Sequence, residues 1–164
     1  MVLPDSVCII IPTYNNEKTI LSVVNSVMPY SQNIIVVNDG STDTTPQLLL
    51  SVSNSIILIS YKKNQGKGYA LKQAFKEAKS RNFTVAITLD ADGQHKATDL
   101  PLFEAEIAKN NETLIIGSRK FDLPNMPSKN SFANKFSFNF YLCSFNKPIF
   151  IIQQICINCF IYFN

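Results

Sequence analysis

Short apolar runs rich in β-branched residues alternate along the chain with longer segments of helical hydrophobic spacing. Five of the runs predict β-strands, namely Val7–Ile11, Asn33–Val37, Ile56–Tyr61, Val85–Leu89 and Leu114–Ile116. Apolar and polar positions hardly alternate within them, which is typical of parallel strands that are covered on both faces. The runs therefore predict a largely buried parallel sheet.

Each interval between these runs carries a helix pattern, in which apolar side chains recur every three or four positions. The patterns comprise Ile20, Val23, Val24, Val27 and Met28; Leu48–Val52 after Thr45 as N-cap and Pro46; Leu71, Ala74, Phe75 and Ala78; and Leu100, Phe103 and Ile107 after Asp99 as N-cap. Strands and helices thus alternate. This order predicts an α/β fold, with a Rossmann-like, mostly parallel, doubly wound sheet and helices on both faces.

The glycines mark one edge of that sheet. Each of the five follows a predicted strand and none lies inside a predicted helix or strand; they are Gly40, Gly66, Gly68, Gly93 and Gly117. In open α/β sheets the ligand crevice lies beyond the carboxyl ends of the strands, and glycine lets the backbone approach a ligand closely. Any single glycine is equally well explained as a turn residue, but polar clusters accompany them at successive strand ends. Together they predict a binding edge.

The acidic turn Asp90-Ala91-Asp92 follows the fourth strand. Residues two apart in extended backbone point the same way, so both carboxylates would face the crevice. Two neighbouring carboxylates repel unless a cation or a proton joins them. Mg²⁺ or Mn²⁺ prefers such oxygen ligands and leaves positions open for phosphates. An isolated motif of this kind is more often a turn and helix cap, but its place at the strand end favours a metal site.

Four further residues of these loops are candidates for ligand contacts. Asp39 suits ribose hydroxyls or a base N–H, or serves the turn in which it lies. Lys67 could meet a phosphate or remain solvated, and Arg119 could neutralise phosphate or pair with a surface acid. His95 is either a residue that begins a helix or a contact near the metal.

Composition narrows the class of protein. The 164 residues are 46% hydrophobic and 16% charged, which suits one globular domain. The net charge of +3, with basic residues singly or in pairs along the sequence and no stripe, predicts no nucleic-acid partner. Cys156 and Cys159 form a C-x-x-C without a second pair, which favours a structural role over zinc or redox chemistry. With neither a signal peptide nor a membrane span expected, we predict a reducing, cytoplasmic location.

Four motifs in order resemble one known family. They are Pro12-Thr13-Tyr14-Asn15, Val36-Val37-Asn38-Asp39-Gly40-Ser41-Thr42-Asp43, Asn64-Gln65-Gly66-Lys67-Gly68 and Asp90-Ala91-Asp92-Gly93-Gln94-His95. Over roughly residues 5–135 the chain resembles family 2 inverting glycosyltransferases of the GT-A fold, above all the dolichyl- or polyprenyl-phosphate mannosyltransferase-like and glucosyltransferase-like enzymes. Two departures stand out: Asn16 and then Glu17 occur where similar members carry Glu directly after the Tyr-Asn pair, and Asn38 replaces a frequent Asp.

The resemblance implies a role for each motif residue. The nucleotide-sugar site would comprise Pro12, Tyr14, Asn16, Asp39, Lys67, Asp90, Asp92 and Gln94. Of these, Pro12, Tyr14 and Asp39 would hold the nucleoside. Asp90 would lie near the ribose or the metal. Asp92 with Gln94 would bind Mg²⁺ or Mn²⁺. Asp92 and Arg119 would act in catalysis, by stabilising charge on the departing diphosphate.

The reaction that the resemblance implies is sugar transfer with inversion, from a UDP- or GDP-sugar to a polyprenyl phosphate or a saccharide. Peripheral association at the inner face of a membrane is a further expectation. The alternative is a catalytically incomplete nucleotide-sugar-binding fragment or pseudoenzyme. A nucleotidyltransferase would usually place a Gly- and Arg-rich loop after the first strand, and a phospho-acceptor signalling domain an acidic pair there. Ile11-Pro12-Thr13 provides neither.

The end of the chain differs from the rest. We divide the sequence into a nucleotide-sugar-binding domain, residues 1–135, and an atypical apolar tail, residues 136–164. No Asp or Glu follows Asp122, and residues 148–164 carry no charge. The acceptor half of the fold is therefore expected to be largely absent. Three interpretations stay open for the tail: out-of-frame translation of an AT-rich gene, a membrane-docking segment, or strands that close the sheet.

Overall fold

The computed structural model describes residues 2–109, 114–118, 149–153 and 159–162. Three strands form its centre: β1 (Val7–Thr13), β2 (Ile34–Asn38) and β4 (Val85–Thr88). All their residues are buried, as the near-continuous apolar runs predict. β3 (Ile57–Ser60) is only half-buried because it lies at the edge.

The main sheet has the strand order β3-β2-β1-β4-β7. The first four strands are parallel, with Ile9 of β1 opposite Ile34 on one side and Ile87 on the other. β7 (Cys159–Tyr162) adds an antiparallel strand beside β4. The prediction of a mostly parallel α/β sheet is confirmed.

The fifth predicted strand does not join that sheet. β5 (Leu114–Ser118) pairs in parallel with β6 (Ile149–Gln153) in a separate two-stranded sheet. The apolar pattern of β5 correctly predicts a strand, but a pattern within one strand cannot specify its partner. β6 and β7 both belong to the segment 136–164, whose three interpretations remain predictions.

Helices cover both faces. α1 (Ile20–Val27), α2 (Thr45–Ser51) and α4 (Leu100–Lys109) pack on one face, and α3 (Lys67–Ser80) packs on the other. The helical spacing explains this. In α1 the buried positions are the predicted ones, and they contact a core that includes Ile9, Ile11 and Val36. Among the described residues, no helix is long and apolar enough to cross a membrane.

The crossovers place a crevice above β1. The connections through α1 and α2 run on one face toward β2 and β3, whereas α3 returns over the opposite face to β4. The strands on the two sides of β1 are thus reached by connections on opposite faces of the sheet. A position of this kind is a topological switch point, where α/β sheets bind ligands.

Several predicted boundaries move by a few residues. Thr44, not Thr45, is the N-cap of α2, and the Asp43 carboxylate accepts the backbone N–H of Thr45. Gly68 lies in the first turn of α3 and Gly117 lies within β5, so the expectation that no glycine falls inside an element is wrong at these two positions. Gly68 does not have the left-handed φ that would require glycine.

Candidate functional site

A cleft of about 300 Å³ opens at the carboxyl edge of β1, β2 and β4. Seven of the eight residues predicted to bind a nucleotide sugar line it. They are Pro12, Tyr14, Asn16, Asp39, Lys67, Asp90 and Asp92. The eighth, Gln94, is joined to the cleft through a backbone hydrogen bond to Asp92. The polar loops that lie far apart in the sequence thus meet at one place.

The first loop begins later than the sequence suggests. Pro12 and Thr13 are the last residues of β1 rather than loop residues. Tyr14 then leaves the sheet and is exposed, while Asn15 adopts a left-handed φ of 53°. The Asn16 amide donates to Thr13 Oγ1 and to the Tyr14 carbonyl, at 3.1 and 3.0 Å. Asn16 therefore tightens this turn.

The first and second loops are bonded to each other. Asn15 Oδ1 accepts the backbone N–H of Thr42 at 2.8 Å. Glu17 Oε2 accepts both the N–H and the hydroxyl of Thr44, at 3.1 and 2.8 Å. In return, Asp43 Oδ2 accepts the backbone N–H of Glu17. Glu17 is thus turned toward the start of α2, and Asn16, not Glu17, lines the cleft.

Asp39 holds the third loop in place. Asp39 is only 3% exposed, and its two carboxylate oxygens accept the backbone N–H groups of Gln65 and Gly66, at 2.9 and 2.8 Å. Burying a carboxylate costs free energy unless hydrogen bonds compensate it, and these two do so.

Gly40, next to Asp39, allows this close approach. It has φ +70°, and a Cβ at this position would lie 2.4 Å from the backbone carbon of Lys63. Any side chain would therefore push the second and third loops apart. Glycine at this position is required both by its conformation and by the space available.

Asp90 is ionised and flanked by two basic side chains. Lys67 Nζ lies 2.5 Å from one carboxylate oxygen, and His95 Nε2 lies 3.6 Å from the other. Burial by itself raises the pKa of Asp90, but the hydrogen bond from His95 and the charge of Lys67 outweigh it and lower the pKa to about 2. The sequence left the partners of Lys67 and His95 open, and the structure assigns both to Asp90.

Asp92 differs from Asp90 in its surroundings. Its Oδ1 accepts the backbone N–H of Gln94 at 2.9 Å, within the turn that Gly93 makes with φ +77°. Its side chain is exposed in the cleft, and no other hydrogen bond to it comes from the described residues. A carboxylate oxygen that faces an open cleft is a ligand that Mg²⁺ or Mn²⁺ accepts. The residues present thus fit a divalent ion, although the described part of the chain contains no group of three or more His, Cys, Asp or Glu residues suited to one.

The first turn of α3 also faces the cleft. Gly66 precedes the helix with φ 92°, no acidic residue lies in the first turn, and Lys67 is the first helical residue. Helix N-termini present unpaired backbone N–H groups and a partial positive charge, which favour anions. Lys67, which is paired with Asp90, and the N-terminus of this helix are thus the positive groups at this wall of the cleft.

Some predicted residues lie outside the described part, and some lining residues were not predicted. Arg119 and Cys156 are outside the described residues. Thr13, Asn64, Ala70 and Ala91 line the cleft without having been named as contacts. Thr13, Asn64 and Ala91 lie within the quoted motifs, so membership of a motif was the sequence feature that could have identified them as cleft residues. Ala70 follows only from the packing of α3.

Comparison with protein families gives one match that spans nearly the whole chain. The family described as "Glycosyl transferase family 2" matches residues 8–160.

Among individual proteins, the UDP-N-acetylglucosamine–dolichyl-phosphate N-acetylglucosaminyltransferase of Methanococcus voltae is 31% identical over 145 residues, which cover 77% of this chain and 58% of that protein. A dolichyl-phosphate beta-glucosyltransferase of Trichomonas vaginalis is 30% identical over 147 residues, covering 79% and 44%. The chain therefore spans about half the length of these relatives.

Solved structures show the same architecture. Residues 1–349 of S. aureus TarS in complex with UDP-GlcNAc match with a TM-score of 0.54 and 25% identity, over 74% of this chain and 37% of that one. Glucosyl-3-phosphoglycerate synthase from Mycobacterium tuberculosis matches with a TM-score of 0.64 and 17% identity, over 95% of this chain and 56% of that one. The second likeness concerns the fold alone.

Proposed function

This chain belongs to glycosyl transferase family 2 and has the GT-A α/β fold, and from that premise we propose that its cleft binds a nucleotide-sugar donor for transfer to a polyprenyl phosphate or a saccharide. The observation that carries the proposal is the convergence of seven predicted donor-binding residues on one cleft at the switch point of the sheet. A UDP-sugar is the first candidate donor, because the M. voltae relative is named for UDP-N-acetylglucosamine and TarS binds UDP-GlcNAc.

The nucleoside would lie over the ends of β1 and β2. Tyr14 offers an exposed ring there, and Asp39 is fixed by the third loop, with lone pairs remaining for a base N–H or a ribose hydroxyl. Asp90 stays ionised at neutral pH, so it would accept hydrogen bonds from ribose rather than donate them.

The diphosphate would lie between the first turn of α3 and the acidic turn. Lys67 and the N-terminus of α3 offer positive charge on one side. On the other side, Asp92 with Gln94 would hold Mg²⁺ or Mn²⁺. When bound, this ion would neutralise negative charge on the diphosphate. Arg119 is proposed to stabilise the same charge as the nucleoside diphosphate departs.

The acceptor would attack the anomeric carbon from the face opposite the diphosphate, which inverts that carbon. A hydroxyl acceptor needs a general base, whereas the oxygen of a polyprenyl phosphate is already anionic. The names of the relatives favour a lipid phosphate. Such an acceptor reaches the protein from a membrane surface, so we also propose peripheral association at the inner face.

Calorimetric titration tests the donor site. We expect UDP to bind more tightly with Mn²⁺ than without it. A parallel titration with GDP measures the preference of the site for uracil over guanine. Asp92→Ala should weaken metal-dependent binding by about tenfold or more, roughly 1.4 kcal/mol. Asp5→Ala is the matched control, because Asp5 is exposed before β1, at the opposite edge of the sheet. Unchanged affinity in Asp92→Ala would refute the proposed site.

The alternative that we propose is donor binding without transfer. The cleft described above contains candidate donor contacts, and the acceptor side of the proposed reaction is not among the described residues. Incubation with a radiolabelled nucleotide sugar and a polyprenyl phosphate separates the two functions. Labelled lipid product supports transfer, whereas donor binding without product supports the fragment or pseudoenzyme.

A further inference from the structure

Positive charge is concentrated on α3 and the loop before it. Seven of the 15 Lys and Arg residues lie within residues 62–81, with one of the 12 Asp and Glu residues. They are Lys62, Lys63, Lys67, Lys72, Lys76, Lys79 and Arg81. This segment therefore carries a formal charge of +6, and the rest of the chain carries −3. A net charge of +3 conceals this asymmetry.

The helix gathers these charges on its outer side. Lys72, Lys76 and Lys79, spaced by four and three residues, lie on one side of α3 and are exposed; we call them the basic stripe. The opposite side of the helix is buried against the sheet through Ala70, Leu71, Ala74 and Ala78. The expectation that the basic residues form no stripe is therefore wrong, because spacing along the sequence hides neighbours that the helix brings together.

Two lysines of the stripe are not paired with an acid. Among the described residues, no carboxylate oxygen lies within 4 Å of the Lys72 or Lys76 ammonium group. Glu77, the acid of α3, is paired with Arg81 at 2.7 Å. The positive field of Lys72 and Lys76 thus extends outward into solvent.

We propose that the basic stripe docks the protein onto the anionic headgroups of a lipid bilayer. Exposed Tyr69, 42% accessible, lies on the same side of α3, and aromatic rings of this kind favour the headgroup region. The apolar side of α3 is occupied by the sheet, so attachment is electrostatic, without insertion.

The stripe lies on the helix whose first residue lines the cleft. Lys67 begins α3 and lines the cleft, so a bilayer along the helix would lie beside the cleft mouth. A lipid-borne acceptor would then enter without leaving the membrane. The choice of a bilayer over another polyanion rests in part on the proposed function.

Vesicle sedimentation tests this inference. The full chain should bind vesicles of phosphatidylcholine mixed with phosphatidylglycerol, but not phosphatidylcholine alone, and should dissociate at about 1 M salt, where the Debye length is about 3 Å. Since each Lys near an anionic surface contributes about 1 kcal/mol, Lys72→Gln with Lys76→Gln should lower the partition coefficient about 30-fold. Lys72→Gln alone should lower it about fivefold.

The control is Lys18→Gln, because Lys18 is exposed and precedes α1 on the opposite face of the sheet. An equal loss of vesicle binding in Lys18→Gln and Lys72→Gln, or equal binding to both vesicle types, would overturn the proposal that the basic stripe docks the protein. Tighter binding to duplex DNA than to vesicles at the same salt would overturn the lipid assignment. UDP titration of the wild-type chain and of the double variant keeps the two proposals apart. Failure of UDP binding in the wild-type chain counts against the donor site, whereas vesicle binding tests only the role of α3.

Discussion

At the scale of single residues, the two carboxylates of the acidic turn have different surroundings. Asp90, whose side chain is 26% exposed, is bonded to Lys67 and His95, whereas Asp92 faces the open cleft. Sequence spacing treats the two as a symmetrical pair, because both follow one strand. The difference arises from Lys67, which lies on another loop, and from His95, which lies in the next turn. It is the basis on which we propose Asp90 for the ribose contact and Asp92 for the metal.

Asp90 should make stability depend on pH. Its pKa falls from 3.8 to about 2 on folding, so its stabilisation is complete above pH 3.8 and is lost as the pH falls through about 2. We expect Asp90→Asn to lower the free energy of unfolding by about 2 kcal/mol at pH 7, with the deficit shrinking below about pH 4. Urea denaturation at pH 7 and pH 3 measures this difference. Asp5→Asn should change stability by less than about 0.5 kcal/mol, and a deficit of Asp90→Asn that is the same at both pH values would contradict the expectation.

At the scale of elements, the loops hold one another in place. Glu17 of the first loop accepts two hydrogen bonds from Thr44, the N-cap of α2, and Asp39 at the end of β2 holds the start of α3 through Gly66. Neither helix has a side-chain cap from its own N-cap residue. At the start of α2 the acceptors are instead Asp43, just before the helix, and Glu17 of the first loop. The loops that form the cleft are therefore part of the fold.

Removal of the Glu17 carboxylate should destabilise the start of α2. Glu17→Ala leaves the N–H and the hydroxyl of Thr44 without this acceptor, and we expect a loss of about 1 kcal/mol in chemical denaturation. Glu17→Gln keeps an acceptor oxygen at the same reach and should lose less than half as much. Equal losses in the two variants would show that charge, rather than the hydrogen bonds, is what matters at this position.

At the scale of the whole molecule, one sheet separates two cores. α1, α2 and α4 build the larger core with one face of β1, β2 and β4, and of the helices in the described part of the chain only α3 covers the other face. α3 covers it with Ala70, Leu71, Ala74 and Ala78, and its lysines lie on the side away from the sheet. The packing thus determines which side of the molecule carries the charge of α3.

The contribution of α4 to the larger core can be measured with adjacent residues. Phe103 is fully buried, whereas Leu102 is 53% exposed. Phe103→Ala should lower the free energy of unfolding by about 3–5 kcal/mol, because it leaves a cavity against the sheet. Leu102→Ala should cost less than about 1 kcal/mol. Similar losses for both in urea denaturation would mean that α4 does not pack as described.

The sequence by itself determines the helices, the strands β1 to β5 and the edge at which the candidate site lies. Apolar periodicity is local, so it fixes strands and helices before their partners are known, and parallel strands necessarily bring Asp39 and Asp90 to one edge. Only the tertiary structure decides which groups meet there. Lys67 reaches Asp90 across 23 residues of sequence, Gly40 touches the backbone of Lys63, and β5 pairs with β6 instead of joining the main sheet. These contacts depend on strand order and on the face that each helix covers, and no pattern within a single element encodes either.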